Sequence, residues 1–90
     1  MADIREAIDI LDQDIVAAIA KRAKYVHMAA KFKKNPTAVK DEKRVQEVIA
    51  SKKLHAEQFD VSSELIEKLY ALMIDHFIEE ELERWKTLGN

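Results

Sequence analysis

One glycine and one proline, Gly89 and Pro36, punctuate the whole chain of 90 residues. That scarcity limits the fold more than any other feature. Tight hairpins and phosphate-cradling loops depend on glycine, and proline is the other strong local terminator. A chain almost without either cannot build a glycine-rich phosphate loop and is expected to fold as a few long helices.

The stretch IREAIDILDQDIVAAIAKRAKYVHMAAKFK carries the first of these. Steps of three and four from Ile8 fall on Leu11, Ile15, Ala18, Arg22, Tyr25, Ala29 and Phe32, an apolar seam at helical period interrupted by Arg22. The spacing predicts a helix from about Asp3 to about Lys33. Asp3 caps it, because a short carboxylate accepts from the free N–H groups of a first turn. Asn35 precedes Pro36 and is pushed out of the helical region, which ends it. About 30 residues rising 1.5 Å each make a rod of roughly 45 Å, longer than a compact globule of this size. The seam therefore needs cover from outside the chain, most simply from a second copy in a symmetric dimer.

A second, shorter helix is expected from about Asp41 to about His55, with Val45, Val48, Ile49 and the stem of Lys52 on its inner side. EQFDVSS reads as a connection. A third helix starts at Ser62 or Ser63 and runs to about Thr87, with Leu65, Leu69, Leu72, Met73, Phe77 and Trp85 at helical spacing and Gly89 as its stop. The expected fold is all-α: three helices, long–short–long, in a single domain spanning residues 1–90.

Composition excludes several functions. A net charge of −2 gives no reason to expect a nucleic-acid partner. No cysteine is present to form a disulfide, ligate a metal or act as nucleophile. No leader and no run of about 18 apolar residues stands out, so the expectation is a cytoplasmic protein without a membrane partner. His27, His55 and His76 lack a visible i, i+4 metal-ligating partner and read as surface or boundary histidines. Asp9, Asp12 and Asp14 scatter around the first helix. KFKK is a short, solvent-facing basic patch. No metal and no cofactor is expected.

Polar residues at apolar positions carry the functional signal. A guanidinium on an apolar seam must meet an anion or extend to water. Lys33 follows Arg22 by eleven residues, three turns plus about 20°, and so shares its face. Arg5 precedes Arg22 by seventeen residues and points about 100° away, toward a neighbouring rod. Arg44 adjoins Val45 and Val48, with Asp41 one turn before it as a local ion-pair partner. On the third helix Glu81 interrupts the stripe of Ile74, Ile78 and Trp85. Glu81 belongs either to the solvated acidic run EEELE or to the interior. Cations gathered inside a helical bundle suit a small dicarboxylate, because arginine grips carboxylates bidentately. With no nucleophile or metal motif beside them, they suit chemistry driven by placement and electrostatics.

DIREAID, D-x-DIV, the KR that ends in Arg22 with Tyr25 and Val26 after it, the FK that ends in Lys33, the RV of Arg44–Val45, and MIDHFIEEELERW recur in one order over nearly the whole chain. In these the sequence resembles the all-helical class of chorismate mutases, and within it the isochorismate-pyruvate lyase branch. The resemblance implies an intertwined homodimer with two equivalent sites. Arg22 would grip one substrate carboxylate, and Lys33 the ether oxygen and a carboxylate. Arg44 would bind the ring side, with Asp41 beside it, and Arg5 would reach across from the partner chain. Val45 stands where bacterial mutases carry a glutamate that bonds the ring hydroxyl, as in the lyase branch. Glu81 stands where mutases and lyases of bacteria carry glutamine; glutamate there is a fungal-mutase trait. The catalytic set so implied is Arg22, Lys33 and Glu81, acting on chorismate or isochorismate. A non-catalytic helical dimerisation module, with Arg22 and Lys33 in mere salt bridges, is the alternative of another class.

Overall fold

Few breakers do give few helices. The computed structural model describes residues 1–32 and 41–88, and among them there is no strand. Helix α1 spans Ala2–Ala30, α2 spans Glu42–Gln58 and α3 spans Ser63–Leu88. The all-α, long–short–long expectation holds. The chain divides into two compact units, Met1–Phe32 and Lys33–Asn90.

The first unit is α1, 29 residues and so about 43 Å long. Its start differs from expectation. Met1 is the N-cap, and its carbonyl accepts the Arg5 N–H at 2.9 Å. Asp3 lies inside the first turn and makes no side-chain cap. There its charge still complements the positive end of the helix. The end also comes earlier than the sequence suggests. Lys31 and Phe32 donate to Met28 and Ala29, three residues back, at 3.2 and 3.1 Å. This tightening closes the helix at Ala30. Lys33 and the Asn35–Pro36 stop lie outside the described residues.

Along α1 the shielded positions are Ile19, Arg22, Ala23, Val26, His27 and Ala30, one face of the C-terminal half. The other residues of the expected seam stay exposed. Ile8, Leu11 and Ile15 are each more than half accessible, Tyr25 is 71% accessible and Phe32 85%. Ala18 and Ala29 are exposed too. The apolar stripe of this rod is largely uncovered by its own chain.

The second unit is a helical hairpin. Asp41 caps α2, its Oδ1 accepting the Arg44 N–H at 3.1 Å. The contact expected between Asp41 and Arg44 thus runs through the backbone. Helix α2 continues past His55 because Glu57 and Gln58 are good helix formers. EQFDVSS is therefore connection only from Phe59 onward. The stop is a Schellman turn: Val61 donates to Ala56 at 2.8 Å and Asp60 to Glu57 at 3.2 Å. Asp60 takes the left-handed conformation, φ 57°, that an aspartate tolerates better than most residues. Ser62 then opens α3, its Oγ accepting the Leu65 N–H at 3.2 Å. Helix α3 runs one residue past the expected Thr87, and Gly89 lies outside the described residues.

Helices α2 and α3 pack on one another. Val45, Val48, Ile49 and Lys52 are half-buried and Ala56 is buried, so the expected inner side of α2 is the observed one. On α3 the stripe of Ile74, Ile78, Glu81 and Trp85 is the shielded one, with Ile66, Tyr70, Met73 and Phe77 alongside. Leu65 and Leu72 remain exposed, and Leu69 lies at the exposure boundary. The apolar surface of α3 is wider than the face a single neighbour covers. Lys53 reaches Glu67 at 3.5 Å and marks the antiparallel register of the hairpin.

Candidate active site

The hairpin register decides which polar residues of the second unit share one end. From the Lys53–Glu67 bridge, Glu81 lies fourteen residues on along α3, about 21 Å. Asp41 lies twelve residues back along α2, about 18 Å in the same direction. Asp41, at the start of α2, therefore stands within about 3 Å of the level of Glu81, with Arg44 and Val45 about 8 and 9 Å short of it. Asp41 and Arg44 are exposed, and Val45 is half-buried beneath them. The Asp41 carboxylate already takes up the N-terminus of α2, with Glu42 in the first turn, so the cation this end offers is the exposed Arg44 side chain.

Glu81 is the one buried charged side chain among the described residues, 5% accessible. The acidic run EEELE is thus split: Glu79, Glu80 and Glu83 face solvent while Glu81 turns inward. Its Oε1 lies 3.7 Å from Nη1 of Arg84, one turn on. That partner went unread in the sequence, although the spacing of three was the available signal. His76 likewise has a carboxylate at i+4, Glu80, at 3.3 Å, contrary to the expectation that no histidine here has such a neighbour. The pair is exposed, and among the described residues no three histidine or carboxylate groups converge on a point.

On α1, Arg22 is half-buried and its Nη1 is shut off from solvent. Arg5 is exposed. Both belong to one unbroken helix, so they stand about 26 Å apart along its axis and about 100° around it. No small dicarboxylate spans that distance. Arg5 and Arg22 of the same chain cannot hold one ligand. Lys33 lies outside the described residues.

Two hollows are lined by described residues. One, of about 440 Å³, follows α3 past His76, Glu79, Glu80, Leu82, Glu83 and Lys86, and its carboxylates would repel an anionic substrate. The other, of about 170 Å³, lies toward the hairpin turn between Lys52, Phe59 and Tyr70. Neither includes Arg22, Arg44 or Glu81.

Residues 4–82 match the chorismate mutase type II family. The chain belongs to that family. It is an enzyme of the chorismate mutase class, and the reading as a non-catalytic dimerisation module falls. It is also similar to the isochorismate pyruvate lyase of Pseudomonas aeruginosa, 36% identical over 86 residues, covering 96% of this chain and 85% of that one. As a chorismate mutase type II chain it accounts for the polar residues at shielded positions: an arginine on the shielded face of α1 and a carboxyl in the apolar stripe of α3. No described helix is long and apolar enough to cross a membrane.

Proposed function

We propose that the chain is a single catalytic domain that rearranges chorismate to prephenate without a covalent intermediate, in a site completed by a second copy. The observation that carries this reading is Glu81, a buried carboxyl near the level of the α2 N-terminus in a type II chain. The substrate's two carboxylates are gripped by Arg22 of one chain and Arg5 of its partner, with Arg44 on the ring side. Held this way, the enolpyruvyl tail lies over the ring in the reactive, folded conformer. The ether C–O bond breaks as the new C–C bond forms, no proton is transferred, and negative charge builds on the ether oxygen. Lys33 donates to that oxygen, and Glu81 does so when it carries its proton. A donor so placed contributes about 3–4 kcal/mol of transition-state stabilisation.

A second reading is supported by Val45 and by the lyase relative. Half-buried Val45 offers an apolar contact where a ring hydroxyl would need a polar one. That suits isochorismate, whose hydroxyl sits elsewhere on the ring, and its conversion to salicylate and pyruvate. The same cations serve both reactions. Pure chorismate and pure isochorismate, offered separately, discriminate through kcat/KM. Faster turnover of chorismate supports the first reading, faster turnover of isochorismate the second, and turnover of neither overturns both.

A further inference from the structure

The buried carboxyl of Glu81 is held from its own helix. Nη1 of Arg84 lies 3.7 Å from Oε1, and the two side chains differ sharply in setting: Glu81 is 6% accessible along its side chain and Arg84 49%. A carboxylate withdrawn from water calls for a nearby opposite charge. Arg84 supplies one from the solvent side, at a spacing of three residues that places the two side chains on one face. In the reading proposed above, this carboxylate stands beside a substrate that carries two negative charges. Left unscreened, its own charge would oppose substrate binding.

The geometry points to Arg84 as a positioning residue. Its guanidinium holds Oε1 of Glu81, offsets the carboxylate's charge and so lets the site accept a dianion. Arg84 does this without touching the substrate, so its effect passes through Glu81. A glutamine at position 81 carries no charge to offset and would need no such partner. The inference rests on the proposed placement of Glu81 in the substrate site.

A double-mutant cycle on the full-length protein tests it, with KM, kcat and the thermal midpoint measured for each variant on whichever of chorismate and isochorismate the unmodified protein turns over faster. Arg84→Ala is expected to raise KM about three- to fivefold, with kcat and the midpoint little changed, the range of a half-exposed ion pair. In the Glu81→Gln background the same substitution should change KM by less than about twofold. Arg84→Lys should restore most of the lost affinity, because the pair needs a cation more than a fork. An equal effect of Arg84→Ala in both backgrounds overturns the inference, since Arg84 would then act independently of Glu81. So does no effect in either background, or a fall in the midpoint that accounts for the loss of activity. Failure of the unmodified protein on both substrates is a separate result: it removes the proposed reaction, and this inference with it.

Discussion

Glu81 and Arg22 break the same rule, a charge where hydrocarbon belongs, and each rests on a different kind of support. Glu81 is buried at 5% accessibility among Ile74, Ile78 and Trp85, with Arg84 beside it. A carboxylate at that point repels the charge that develops on an ether oxygen, whereas an amide donates to it. Glu81→Gln is therefore expected to raise kcat/KM at neutral pH by about a hundredfold, on the order of one donor regained. Rates for both proteins on the same substrate check this, and equal rates would remove Glu81 from the site. Arg22 is half-buried with Nη1 shielded, and its proposed partner is a substrate carboxylate. Arg22→Ala should lower kcat/KM by about a hundredfold or more while leaving the fold intact, since a lost charge-assisted bidentate contact is felt chiefly by the ligand. Circular dichroism beside the kinetics separates this from a structural role: an unfolded variant, or one with most of its activity, would show that Arg22 supports the helix rather than the reaction.

Element by element, the sequence declares its helices more clearly than their ends. Period alone is enough for Val45, Val48, Ile49 and Lys52 on α2 and for Ile74, Ile78, Glu81 and Trp85 on α3, because a face packed on a neighbour repeats with the helix. The ends depend on backbone bonds that no periodicity reveals. Asp3 looks like a cap, but the Met1 carbonyl already holds the first turn. EQFDVSS looks like a loop, but Glu57 and Gln58 extend α2 until Asp60 can take the left-handed turn. Of the candidate site, the inward positions of Arg22 and Glu81 were legible as interruptions of a stripe. The salt link to Arg84 was not, because the acidic run around it offers several carboxylates at helical spacing. The cap on α2 carries its own expectation. Asp41 accepts the Arg44 N–H at 3.1 Å, so Asp41→Ala should cost about 1 kcal/mol of stability in urea unfolding. Asp41→Asn should cost much less, since the amide oxygen also accepts. An equal loss in both would show that the charge, rather than the cap bond, holds this end of the helix.

At the scale of the whole molecule, one helix sets the problem. Helix α1 is about 43 Å long, and Ile4, Ile8, Leu11, Ile15, Tyr25 and Phe32 along it are largely open to water. Exposed apolar surface of that extent marks an interaction face. The same helix holds Arg5 and Arg22 about 26 Å apart, too far to share a ligand within one chain. The proposed symmetric dimer would resolve both facts: the stripe of one α1 would find cover, and the Arg5 of each chain would come to the Arg22 of the other. Sedimentation should therefore find a dimer, and a folded, active monomer would remove the proposed role of Arg5. A sharper test uses two inactive proteins. Arg5→Ala and Arg22→Ala should each abolish turnover alone. Unfolded and refolded together in equal amounts, half of their dimers are mixed, and each mixed dimer has one site with both arginines and one with neither. Activity should return to about a quarter of that of the unmodified protein, the share of intact sites that random pairing of two chains produces. If the arginines instead belonged to one chain's own site, every site in the mixture would still lack one of them and no activity would return.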